Sequence, residues 1–252
     1  MSRGILVTGA SAGLGRAVAR AFAEAGDRVA VHYNSNRAEA EKTREALAGD
    51  GHVLVQGDVA TAASRIADAA AEALGGVDVL VNNAAVVTTT ANAHPVAGST
   101  FEHWQQVWLR TVAVNLLGAA DMSFCVARHM IDRGVPGHIV NVGSRGAFRG
   151  EPDHPAYGAT KAALHSLGQS LAVSLAPHGI AVASVAPGFI ATERVADWLT
   201  GERGDALRAQ SPFGRIAEPR EIADAIVYLA SPGSSWASGA ILDLNGASHL
   251  RT

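Results

Sequence analysis

The chain has 252 residues, 48% of them hydrophobic and 17% charged, with a formal net charge of −3. This composition provides for a deep core, argues against disorder, and leaves no basic footprint for nucleic acid or an anionic membrane surface. The single cysteine, Cys125, excludes an intramolecular disulfide and a cysteine-cluster metal site, and its neighbours "MSFCVARHM" read as a buried helix face.

The opening "MSRGILVTGA" is too short an apolar run for a secretory core, and no run reads as the roughly 18 apolar residues that span a bilayer. A cytoplasmic protein without membrane partners is therefore expected. In chain order, "ILVTG" (5–9) predicts a first strand and "LGRAVARAFAEAG" a helix. "RVAVHY" (28–33) and "HVLVQGD" predict the next two strands, each followed by a helical, alanine-rich stretch. "VDVLVNNAA" gives a fourth strand, 101–133 two helical segments, and "HIVNVGS" (138–144) a fifth strand. A helix begins near Pro155, "IAVASVAPG" is a sixth strand, a helix falls near 218–231, and "AILDLNG" is the last strand. Runs without polar alternation suit strands buried on both faces. The fold class is therefore α/β: a Rossmann-like, doubly wound, mostly parallel seven-stranded sheet with helices on both faces. One domain over 1–252 is expected, since no linker or break in composition divides the chain.

"VTGASAGLGRAVARAF" (7–22) places Gly9, Gly13 and Gly15 between the first strand and a helix. Glycines there allow a tight turn and let backbone approach a pyrophosphate, whose charge the helix N-terminus favours. At the end of the second strand, Tyr33 stands where an acid that rejects a 2′-phosphate would be. Asn34 and Ser35 can donate hydrogen bonds, and Arg37 can pair with a phosphate or simply begin a helix. NADP(H) is favoured over NAD(H), although Ala12 supplies no second cation. In "GDV", Asp58 can accept from an adenine amino group, with Val59 against the ring, or can equally cap the next helix.

"HPAYGATKAAL" (154–164) sets Tyr157 and Lys161 four residues apart, on one helix face, just after a proline suited to a first turn. A phenol of pKa about 10 is a poor acid–base group near neutrality. A shift of three units requires about 4 kcal/mol, which an ammonium and an oxidised nicotinamide could supply together. Gly158 costs roughly 1 kcal/mol inside the helix, as expected where another helix or a ligand comes close.

With these residues in place, the chain resembles the short-chain dehydrogenase/reductase family over essentially its whole length. The motifs are "TGASAGLG" (8–15), "NNAA" (82–85), Asn115 in "VAVNLLG", Ser144 in "NVGSRGAF", "YGATK" and "PGFIAT" (187–192), followed by the tail "GRIAEPREIADAIVYLASPGSSWASGAILDLNG". The resemblance implies hydride transfer between NADP(H) and a carbonyl or secondary alcohol. Tyr157 would be the proton donor and acceptor, Lys161 its acidifier and ribose holder, Ser144 the substrate-oxygen donor, and Asn115 the anchor of a relay water. It further implies cofactor contacts from Gly9, Ser11, Gly13, Leu14 and Gly15, from Asn83 and Ala84, and from Pro187, Gly188, Ile190 and Thr192. A homodimer or homotetramer is expected through the helices at 112–132 and 157–177, which are apolar beyond one face.

"NNAA" ends in Ala85 where the family usually has glycine, the stretch "HWQQVWLRTVAVN" before Asn115 is about one helical turn longer than in many members, and the final strand ends "DLNGASHL". Substrate loops are expected near 86–98, 145–154 and 189–212, bearing Arg145, Phe148, Arg149, Glu151, His154, Phe189 and Trp198. Arg149 could select an acid or pair with Glu151. A 3-oxoacyl-carrier-protein reductase is the narrower alternative, and a silent cofactor-binding regulator the alternative of another class. "VGSRG" is not a nucleophile elbow, and the ten histidines show no metal spacing.

Overall fold

The computed structural model describes residues 2–193 and 200–251, so Trp198 lies outside the described residues. The strands are β1 (Gly4–Val7), β2 (Arg28–Tyr33), β3 (Val53–Gln56), β4 (Val79–Asn82), β5 (Gly137–Val142), β6 (Ile180–Pro187) and β7 (Ile241–Leu244). They form one sheet in the order β3-β2-β1-β4-β5-β6-β7, and every pair is parallel. The helices are α1 (Gly13–Glu24), α2 (Arg37–Glu45), α3 (Val59–Leu74), α4 (Phe101–Val112), α5 (Ala119–Arg133), α6 (Gly146–Arg149), α7 (Pro155–Leu175), α8 (Gly201–Arg208) and α9 (Pro219–Leu229).

The inner strands β1, β4 and β5 are buried on both faces, whereas the edge strands β3 and β7 expose Gln56 and Asp243. Alternate side chains of β1 go to opposite cores, as the pleat requires. Ile5 and Val7 join Phe22 of α1 and Ile226 of α9 on one face, while Leu6 joins Ile66, Met122 and Met130 on the other. β1 and β4 are neighbours, and their crossovers leave in opposite directions. That makes the crevice beyond their C-terminal ends the place where an open parallel sheet binds ligands.

Three features depart from expectation. Residues Ala113–Gly118 form a π-helical segment joining α4 to α5, so Phe101–Arg133 is one continuous helical run. By length and composition that run could cross a bilayer, which a search for unbroken apolar residues misses. In this fold its Asn115 and Ser123 bond groups of the sheet layer: Val86 and Asn82 respectively. Second, the expected loop 189–212 contains α8, whose "GERGDALR" carries no apolar stripe to announce a helix. Third, the expected loop 145–154 contains short α6, which presses its Gly146 carbonyl oxygen within 3.2 Å of where a Gly158 side chain would begin. The glycine within α7 thus admits another helix, as anticipated.

Candidate active site

The first turn of the site is built on backbone that only glycine adopts easily. Gly9 and Gly13 have φ of +66° and +55°, and a Cβ on Gly15 would fall on the Gly9 carbonyl oxygen. Asn83 secures this turn by donating from Nδ2 to the carbonyls of Thr8 (2.8 Å) and Gly9 (3.2 Å), while Thr8 Oγ1 accepts from the amides of Asn83 and Ala84. The Ser11 carbonyl accepts from Arg16 at 2.7 Å, Leu14 is buried, and Thr192 packs against Gly13. α1 begins without a side-chain cap and without an acid in its first turn. Its free N–H groups and positive end therefore suit a pyrophosphate.

A residue that the sequence reading passed over completes this cradle. His32, 2% exposed on β2, accepts from the Gly9 amide at Nδ1 (3.0 Å) and faces the Gly57 carbonyl through Nε2 (3.0 Å). The second contact requires a proton on Nε2, and the first requires a bare Nδ1, so the ring is neutral. Burial outweighs the Gly57 bond and the nearby Asp58, and holds its pKa down to about 4. Because the folded pKa lies below that of the unfolded chain, the stability tied to neutral His32 is complete above about pH 6.5. It declines as pH falls and is lost by pH 4, a change of about 3 kcal/mol. Urea unfolding measured from pH 7 to 4 should show this decline in the wild type and a shallower one in His32→Asn. Parallel curves would refute the assignment.

Around the expected adenosine end, Tyr33 is buried and Asn34 and Ser35 are exposed. Arg37 is exposed and bonds Glu41 at 2.8 Å, one helical turn away. Of the two roles open to Asp58, the helix cap is present: it accepts from the Ala60 amide at 3.0 Å and also pairs with Arg110 at 2.9 Å. Val59 follows, buried, as the first residue of α3.

The proton-transfer groups converge at the end of β5. α7 starts at Pro155, and its Ala156 amide donates to Nε2 of buried His94 at 3.2 Å, which docks the loop 86–98 on the helix that carries Tyr157. His94 is a second positioning residue absent from the sequence reading. Lys161 is 3% exposed, donates to the Val142 carbonyl at 2.7 Å, and lies 5.7 Å from the centre of the Tyr157 ring. Burial lowers its pKa to about 8.

The Tyr157 phenol is pushed up by burial, drawn down by the Ser144 hydroxyl and pushed up again by Glu151. The Lys161 ammonium is not among the groups that draw it down in this geometry. Burial prevails, the ammonium is committed to Val142, and the phenol is a neutral donor. Ser144 Oγ also accepts from the Gly146 amide at 3.0 Å. Asn115 is 1% exposed in the π-helical segment, accepts from the Val86 amide at 2.7 Å and donates toward Thr160 at 3.4 Å.

β6 delivers the last group. Pro187 accepts from the Arg145 amide at 2.9 Å, Gly188 packs closely against Asn245, and Ile190 makes a parallel bridge with Ala217. Below the loop, His165 is stacked on Phe148 at 5.2 Å between ring centres, and a Cβ on Gly143 would collide with the His165 ring. Arg149 does not pair with Glu151 among the described residues; it is exposed and reaches Gln210 at 3.3 Å. No cluster of metal-ligating side chains occurs among the described residues.

A sheet that reverses its order beside a glycine turn, with tyrosine, lysine and serine gathered at the next strand end, defines a class of nicotinamide enzyme. A family model described as enoyl-(acyl carrier protein) reductase matches residues 9–249. The chain is 39% identical to an L-rhamnose 1-dehydrogenase (NAD(P)(+)) of a Sphingomonas species, over 98% of this chain and 96% of that one. It is 36% identical to a cis-4-hydroxycyclohexanecarboxylate dehydrogenase of Sinomonas cyclohexanicum, over 96% and 94%. It also matches the crystal structure of the 3-ketoacyl-(acyl-carrier-protein) reductase of Brucella melitensis complexed with NADH, with a TM-score of 0.87, 29% identity and 98% coverage of both chains. The chain belongs to the short-chain dehydrogenase/reductase family. It is an NAD(P)-dependent oxidoreductase that acts on CH–OH groups and the corresponding carbonyls.

Proposed function

We propose that the protein reduces a small carbonyl compound with NADPH, or oxidises the corresponding secondary alcohol, with Tyr157 moving the proton. The observation that carries this is half-buried Tyr157, whose neutral phenol meets Ser144 and whose ring centre lies 5.7 Å from the Lys161 ammonium. When bound, the nicotinamide supplies or accepts the hydride; everything else falls to side chains of this chain. Gly9, Ser11, Gly13, Leu14 and Gly15 hold the pyrophosphate with Thr192, while Asn83 and Ala84 keep the turn in shape. Pro187, Gly188 and Ile190 support the carboxamide end. Ser144 donates to the carbonyl oxygen and stabilises its developing negative charge. Tyr157 then delivers a proton to that oxygen, and a proton returns to the phenol along Lys161 and the polar groups around Asn115.

Preference for NADP(H) is supported by the absence of an acid at Tyr33 and by the exposed Asn34, Ser35 and Arg37. The Arg37–Glu41 pair lies at the surface, where such bonds contribute little, so the guanidinium is free to turn to a 2′-phosphate. Arg37→Ala should raise the KM for NADPH about tenfold and leave that for NADH nearly unaltered. A wild type that works better with NADH would overturn the preference.

A panel of ketones, aldehydes and alcohols with both cofactors tests the reaction itself; silence across the panel would refute the reading. Turnover of an acetoacetyl thioester would favour the 3-oxoacyl-carrier-protein reductase. Assembly into a homodimer or homotetramer is supported by apolar side chains that the single chain leaves uncovered: Leu117, Phe124 and Val173, with Trp236 fully exposed elsewhere. Sedimentation as a clean monomer would count against it.

A further inference from the structure

A cavity of about 270 Å³ opens beside α8, with Arg145, Phe189, Gln210, Glu221, Asp243 and Ser248 in its wall. Neither Ser144 nor Tyr157 lines it, yet Arg145 is joined to Ser144 by a single peptide bond. Arg145 is 4% exposed, which is rare for a guanidinium without an anion. Its side chain donates to the Ser248 hydroxyl and the Gln210 amide oxygen, both neutral, and its face lies 5.0 Å from the centre of the Phe189 ring. No carboxylate pairs with it among the described residues. Burial and the neighbouring Arg149 both weigh against its charge, and only Glu151 acts the other way.

We infer that Arg145 is the recognition site for a carboxylate on the substrate, so that the enzyme acts on a small oxo acid or hydroxy acid whose acidic end enters this cavity. The inference rests on the hydride-transfer reading above and narrows its substrate class.

Four observations support it. A guanidinium has five N–H donors, and the side chains described here take up two. Nη1 and Nη2 each have one neutral partner, and Nε is not an orphaned buried atom among the described residues. A buried charge that is neither paired nor hydrated is costly, and a planar fork answers best to a carboxylate bound through both oxygens.

The balance of charge also selects a monoanion over a dianionic phosphate. Glu221 is neutralised by Arg215 and Asp243 by Arg251, each at 2.7 Å, which leaves Arg145 as the unmatched charge of the wall. The volume lies just below the roughly 300–1,000 Å³ of ordinary ligand pockets and suits a compact acidic tail. Finally, the Arg145 amide is fixed to Pro187 at 2.9 Å, so the guanidinium is rooted between the ends of β5 and β6, next to Ser144.

The test compares laevulinate with its methyl ester, which differ in charge and little in shape, using wild type, Arg145→Gln and Ser248→Ala with NADPH. Wild type should favour the acid in kcat/KM by about tenfold or more, the value of a charge-assisted pair. Arg145→Gln should abolish that ratio mainly through a higher KM for laevulinate, and Ser248→Ala should keep it. Equal losses on acid and ester in both variants would make Arg145 only a latch on Gln210 and Ser248 and overturn the inference, as would a wild type indifferent to the charge.

Calorimetric titration of laevulinate into the NADP⁺-loaded protein separates this outcome from failure of the reaction. Binding by wild type and its loss in Arg145→Gln would uphold the site even if no carbonyl were turned over. Should Arg145→Gln not fold, the wild-type ratio and Arg145→Lys, which keeps charge without the fork, decide.

Discussion

Tyr157→Phe is expected to lower kcat by about 10²–10⁴-fold, the range of a lost general acid–base group, with cofactor affinity close to that of the wild type. Phenylalanine keeps the ring that packs at the start of α7 and removes only the hydroxyl that meets Ser144. The loss therefore falls on the transition state, where the proton is delivered, and kcat and kcat/KM should drop together. The pH dependence follows from the same groups. With the phenol pushed up by burial, reduction has its donor protonated throughout the neutral range, whereas oxidation requires phenolate and should accelerate as pH rises. Lys161 loses its proton near pH 8, so the return of a proton to the phenol along it fades above this point. Steady-state rates in both directions from pH 6 to 10 test this. A Tyr157→Phe enzyme with wild-type turnover would refute the assigned role.

What could be read in the chain beforehand was whatever depends on local backbone or strong periodicity. Gly9 and Gly13 announce themselves because their φ values exclude most other residues, and β2 was bounded correctly at Arg28–Tyr33 because "GD" precedes its run and "NSN" follows it. Tyr157 and Lys161 share a helix face by spacing alone. The missing parts depend on partners remote in sequence. His32 is one histidine among ten until folding brings Gly9 and Gly57 to its two nitrogens, 23 and 25 residues away. Arg145 and Arg149 look alike in "SRGAFRGE"; burial of the first is decided by Phe189, Gln210 and Ser248, which the chain supplies much later. The π-helical segment was not foreseen, because such segments are rare single turns inside longer helices and "AVNLLG" has no residue type that marks one. The Lys161 contact with Val142 was equally invisible, and it changes the account of the tyrosine: proximity within four residues did not fix where the ammonium is bonded.

Gly15→Ala should weaken NADPH binding by one to two orders of magnitude, and the reason is room rather than backbone conformation. An alanine Cβ at this position would fall on the Gly9 carbonyl oxygen and lie 2.6 Å from Asn83 Nδ2, atoms that already hold each other through the 3.2 Å Asn83–Gly9 bond. Neither neighbour is the loose end of a flexible side chain, so the turn itself must yield. Its displacement would move the Gly9 amide from His32 and the α1 amides from the pyrophosphate together. Overpacking of this kind costs about 1–3 kcal/mol of stability as well. Gly26→Ala separates the two effects. Gly26 has φ of +87° with nothing within 4 Å of an added Cβ, so that variant bears backbone strain of roughly 1–2 kcal/mol and leaves the cradle untouched. Thermal melts should therefore find both variants destabilised, while fluorescence titration with NADPH should find only Gly15→Ala impaired. If Gly15→Ala binds NADPH as the wild type does, the glycine turn is not where the pyrophosphate rests.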